Sequence, residues 1–101
     1  MQSPIGRYIR EPIDQYVIDS VRAIRKKSKK SQMDVAHALD FESIGYIGAI
    51  ESMSPERTEC YNNKQLNILA KFFQCSIKDF FPDGCIENYT SPRKYHPRKQ
   101  K

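Results

Sequence analysis

The sequence predicts an all-α fold, and three observations predict it. Apolar residues recur at helical spacing in several separate stretches. Capping residues stand immediately before those stretches. The segment Ser31 to Glu51, SQMDVAHALDFESIGYIGAIE, reads as two short helices joined by a tight turn, the outline of a helix-turn-helix.

Each element can be justified in chain order. Residues 1–12, with Pro4, Gly6 and Pro12, read as a flexible arm. Pro12 suits the first turn of the helix that follows, where its missing N–H costs nothing. Apolar residues then recur at Ile13, Val17, Val21 and Ile24, one face of a helix expected near 13–29. Its last turn, RKKSKK, complements the negative end of the helix dipole. Ser31 is a natural N-cap, with Asp34 three residues on, for a second helix near 32–39. A turn at Asp40-Phe41-Glu42 leads to a third helix near 43–52, started by Glu42 or Ser43. Ala36 is small where the second and third helices must cross closely. After the turn-rich MSPERTECYN, Asn62 or Asn63 caps a fourth helix near 63–73. Ser76 caps a short fifth helix near 77–81, stopped by Pro82-Asp83-Gly84. The predicted core is Val21, Ile24, Ala36, Leu39, Ile47, Ile50, Leu66, Leu69, Ala70 and Phe73. Residues 83–101 lack periodicity from Asn88 onward and read as a flexible basic tail.

One hundred and one residues make a single domain, placed at 13–82, with a modest core and little room for a substrate cavity. No spacing of Ser, Cys and His suggests a nucleophile with its base, so an enzyme is not expected. Cys60, Cys75 and Cys85 form no CxxC pair, and His37 and His96 fall at no ligand spacing. No metal or other cofactor is therefore expected, and the thiols read as reduced ones in a cytoplasmic protein. No apolar run approaches the roughly 20 residues of a membrane span.

Net charge is +5, and its distribution says more than its total. Residues 1–30 carry eight cations against three carboxylates. Residues 31–60 carry only Arg57 against six, and residues 61–101 again eight against three. The helix-turn-helix segment is thus acidic, between two basic flanks.

These residues carry a resemblance. Gln32, Val35, Ala36 and Leu39, then Tyr46, Ile47, Ile50 and Glu51, then LNILAKFFQCSIKDFFP together resemble the phage-repressor, Cro-like (XRE-type) helix-turn-helix family over about residues 14–82. Asp40 stands where that family usually has Gly, and the turn is one residue longer than the common form. Asp tolerates a left-handed backbone better than most residues. The resemblance implies a compact five-helix lambda-repressor-like domain that binds double-stranded DNA as a homodimer on a paired half-site. Aligned on Ile47 and Ile50, it places the base-contacting positions on Ile44, Gly45 and Ala49, with Ser43, Tyr46 and Gly48 nearby. Gln32 matches a phosphate-anchoring Gln, and Arg25 and Glu51 match a pair that links helix one to helix three. Tyr46 and Ile44 are then expected to point at bases, with Tyr46 exposed.

The third helix is poor in the donors that read base edges. Phosphate contacts are better supplied, by Asn62, Asn63 and Lys64 at a helix N-terminus and by the tail residues Arg93 and Lys94. The RKKSKK run reads either as a phosphate-binding patch or as a solvated helix end. A rival function keeps the fold: a protein-interaction module, such as an antitoxin-like or accessory subunit, whose acidic helices meet a basic partner. A general nucleic-acid binder relying on the tail is the third possibility.

Overall fold

A computed structural model describes residues 10–95. Four α-helices follow in order: α1 (Pro12–Lys27), α2 (Gln32–Ala38), α3 (Gly45–Glu51) and α4 (Asn63–Phe73). The expected fifth helix is a single 3-10 turn, Ile77–Phe80, and the described residues contain no strand. None of the helices is long and apolar enough to cross a membrane.

Pro12 opens α1, and the Asp14 carboxylate accepts from the Glu11 N–H at 3.1 Å. The helix stops two residues short of the expected Lys29, because Lys29 turns left-handed (φ 59°). Lys29 N–H then donates to the Lys26 carbonyl and Lys30 N–H to the Arg25 carbonyl, both at 3.0 Å. Those paired bonds are a Schellman ending. α2 ends the same way on Asp40 (φ 69°), with Asp40 N–H on His37 and Phe41 N–H on Ala36. The left-handed turn that the sequence assigned to Asp40 is therefore present. α4 repeats the device on Gln74 (φ 59°). Three helices thus end on a left-handed residue, and none of the three is glycine.

Val17, Ile18, Val21, Val35, Ala36, Leu39, Ile47, Ile50, Tyr61, Leu66, Leu69, Ala70 and Phe80 form the core. Eight of the ten expected core residues are among them. Ile24 and Phe73 sit on its rim, half-buried, and Phe80 from the 3-10 turn takes the central aromatic position. Phe73 packs edge-on to Phe80 with ring centroids 6.5 Å apart. The core lies between α1, the 3-10 turn and α4 on one side and α2 and α3 on the other. It presents α3 at the surface with Ile47 and Ile50 turned inward, as the alignment on those two residues requires.

Candidate nucleic-acid interface

α3 is a poor helix on its own. It has seven residues, two of them glycine, no side-chain N-cap and no cation in its last turn. Such a segment does not hold together by propensity. Its inner face supplies part of the missing support through Ile47 and Ile50, both fully buried. Its side and end are held by polar contacts.

The first of these is the expected Arg25–Glu51 pair. Both residues are buried, and the guanidinium forks the carboxylate at 2.9 and 2.8 Å. Arg25 also donates to the Lys30 carbonyl at 2.9 Å, which ties the pair to the α1–α2 turn. Arg22 stands 3.8 Å from Glu51, and Gln32 Nε2 donates to Glu51 Oε1 at 3.0 Å. One buried carboxylate therefore joins α1, α2 and α3, with enough donors around it to offset its desolvation.

The second set of contacts closes the C-terminal end of α3. Arg10 donates to the carbonyls of Ala49 (3.2 Å), Ile50 (2.9 Å) and Ser52 (3.1 Å), and to that of Glu59 (2.9 Å). Arg93 donates to the Glu51 carbonyl at 2.6 Å. Carbonyls that a helix end leaves unpaired are thereby satisfied by cations, where the dipole favours them. Burial lowers the pKa of both guanidiniums, which nonetheless stay charged.

Both arginines are anchored along one stripe of α1. Arg10 donates to Gln15 Oε1 at 3.3 Å, and Gln15 Nε2 donates to Asp19 Oδ1 at 3.0 Å. Arg93 lies 3.7 Å from Asp19, and the Tyr89 hydroxyl donates to Asp19 Oδ2 at 2.7 Å. Tyr89 also packs edge-on against Tyr16, centroids 5.2 Å apart. Burial and the bond to Asp19 push the Tyr89 hydroxyl up to about 12, so it remains a donor at neutral pH.

The remaining site residues divide into those that face outward and those already committed inside the domain. Ser43, Ile44 and Gly45 are exposed, and Gly48 and Ala49 half-exposed, on the outer face of α3. Asn63 and Lys64 are exposed at the start of α4, as is Lys94. Tyr46 does not project freely as expected. Its hydroxyl donates to the Cys60 carbonyl at 3.0 Å, and its ring leans on Phe41 at 5.1 Å. Ile47 is buried beside it, so the helix register stands while Tyr46 turns sideways into the domain. Gln32 is bound to Glu51. Asn62 spends its side chain as an N-cap, accepting from Gln65 N–H at 2.8 Å while Gln65 Oε1 accepts from Asn62 N–H at 2.9 Å.

Arg93 departs furthest from its expected place. The stretch from Tyr89 to Arg93 is docked on α1 and α3, not a free arm. The outer parts of the arm and tail, residues 1–9 and 96–101 with His96, lie outside the described residues. Sequence reasoning missed Arg10, Gln15 and Asp19. Gln15, Asp19 and Arg22 do recur at i, i+4 and i+7 beside the apolar face of α1, a polar stripe that needed a partner.

Comparison with protein-family models, with curated proteins and with solved structures finds no significant match.

Proposed function

We propose that the protein is a sequence-specific DNA-binding transcriptional regulator of the XRE, Cro-like type. On this reading the four helices and the 3-10 turn are a lambda-repressor-like domain acting in the cytoplasm as a homodimer, and α3 enters the major groove of double-stranded DNA. One observation carries the reading: the outer face of α3 is bare backbone and small side chains, on a helix whose inner side and C-terminal end are fixed from outside. A Cβ added at Gly48 would meet nothing nearer than Gln32 Oε1 at 3.9 Å, and one at Gly45 nothing nearer than Ser43 Oγ at 3.6 Å. Packing inside the domain therefore does not require either glycine. A surface that must come close to α3 would require them. Exposed Asn63 and Lys64 at the start of α4 suit a phosphate, and exposed Ile44 suits a thymine methyl.

Gly48→Ala separates stability from binding. Alanine should stabilise α3 by up to about 1 kcal/mol through helix propensity. On a duplex selected from a random pool, the same change should weaken binding by roughly tenfold, the scale of one lost contact. Stability and affinity that rise together would show that DNA does not approach this face.

A second reading has an observation of its own. The exposed residues of the α2–α3 face include Met33, Asp34, His37, Asp40, Glu42 and Ile44, with no Lys or Arg between Ser31 and Ser54. An acidic, partly apolar face suits a basic protein partner, as in an accessory or antitoxin-like subunit. A pool selection that enriches no sequence favours that reading.

A further inference from the structure

We infer that Arg93 and Arg10 are positioning residues, which set the pose of α3 and hence DNA specificity, and that Arg93 is not a phosphate ligand. The specificity part rests on the DNA-binding reading above. The clamp itself does not. Basic residues near the end of a chain are ordinarily taken as contacts to the DNA backbone, and Arg93 and Lys94 would be counted together on that ground. The structure separates them. Lys94 is exposed. Arg93 has one guanidinium nitrogen on the last carbonyl of α3 (2.6 Å) and another 3.7 Å from Asp19, whose other oxygen accepts from Tyr89. A guanidinium so placed bridges α1 and α3: one terminal nitrogen is spent on the carbonyl, and the other is buried at ion-pair distance from Asp19 without a hydrogen bond, away from any phosphate.

Arg10 completes the arrangement from the segment just before α1. Its contacts cover Ala49, Ile50 and Ser52, and that of Arg93 covers Glu51, so four successive carbonyls at the end of α3 each receive a guanidinium N–H. α3 has no basic residue of its own in this turn. Both arginines reach it through α1, Arg10 by Gln15 and Arg93 by Asp19, and Gln15 is hydrogen-bonded to Asp19. The flanks therefore join one polar seam, and the helix end is fixed at the crossing of the two.

A planar guanidinium and a point-charge ammonium differ here in a useful way. A phosphate contact accepts Lys in place of Arg with modest loss, because the charge survives. A bridge from the Glu51 carbonyl to Asp19 needs the planar fork and loses its geometry with Lys.

The test uses the full chain with Arg93→Lys, Arg93→Gln and Lys94→Gln, and two measurements. Amide hydrogen exchange without DNA reads the clamp directly. Both Arg93 variants should speed exchange at Ile50 to Met53 by tenfold or more, with α4 amides unchanged as the internal control. Binding to the selected duplex and to a scrambled one, across salt concentrations, reads the role in recognition. Both Arg93 variants should lose about tenfold in preference for the selected duplex, with the salt slope unchanged. Lys94→Gln should lower the slope by about one unit and leave the preference alone. Unchanged exchange at the end of α3 in Arg93→Gln overturns the clamp. A slope that falls in Arg93→Gln and recovers in Arg93→Lys makes Arg93 a phosphate ligand and overturns the proposal. If no duplex is selected, the DNA reading fails, and the exchange measurement still decides the clamp.

Discussion

α4 carries its own ends, and α3 borrows both of its supports. In α4, Asn62 and Gln65 close the first turn between them, and Gln74 closes the last with a left-handed residue. Leu66 and Leu69 then supply the buried face. Both caps of α4 thus lie between Asn62 and Gln74, within the helix's own stretch of sequence. α3 has no side-chain bond from its N-cap residue; locally only Ser43 Oγ helps, accepting from Gly45 N–H at 3.3 Å, and the other holding groups come from Arg25, Gln32, Arg10 and Arg93. A helix with local determinants serves as scaffold. A helix defined by distant residues keeps its outer face free of structural duty, which leaves small and glycine residues there without loss of order.

The sharpest way to break this contrast is at Glu51. Glu51→Ala leaves Arg25 buried without its carboxylate and frees Gln32, so a loss of about 3–5 kcal/mol in chemical denaturation is expected. A loss under about 1 kcal/mol would mean that the buried pair does not hold α3 to α1. The corresponding cut in α4 is smaller, because it removes only a local cap. Asn62→Ala should cost about 1 kcal/mol, measured by thermal or urea unfolding. If it costs as much as Glu51→Ala, α4 is not locally determined. The smallest expected effect has the opposite sign. Gln74 adopts φ 59°, which L residues occupy at a cost, so Gln74→Gly should stabilise the domain by up to about 1 kcal/mol. Destabilisation there would show that the Gln74 side chain, not the backbone turn, closes the helix.

The same contrast explains what could be read from the sequence. α1, α2 and α4 were legible because caps and apolar spacing are local signals: Pro12, Ser31 and Asn62 each stand where a helix begins. The inward residues of α3 were legible for the same reason. The end of α1 was misplaced to Lys29 because a Schellman ending usually announces itself with glycine, and here lysine occupies the left-handed position. Tyr46 was misread because the acceptor for its hydroxyl is a backbone carbonyl, that of Cys60, fourteen residues away, and a backbone acceptor leaves no mark on the sequence. Arg93 was assigned to the DNA for a related reason. Composition counts its charge but not the Glu51 carbonyl that holds it. The Arg25–Glu51 pair came from a resemblance, and its two side chains meet as that resemblance implies.

The Arg93 contact also makes the finish of α3 separable from the rest of the domain. Glu51 and Arg93 lie 42 residues apart in the sequence. The buried core uses no residue beyond Phe80. A cut between the 3-10 turn and Arg93 would therefore spare that core and remove one of the guanidinium partners from the end of α3. Proteolysis in that stretch would act on the helix with the bare outer face and leave the scaffold beneath it standing.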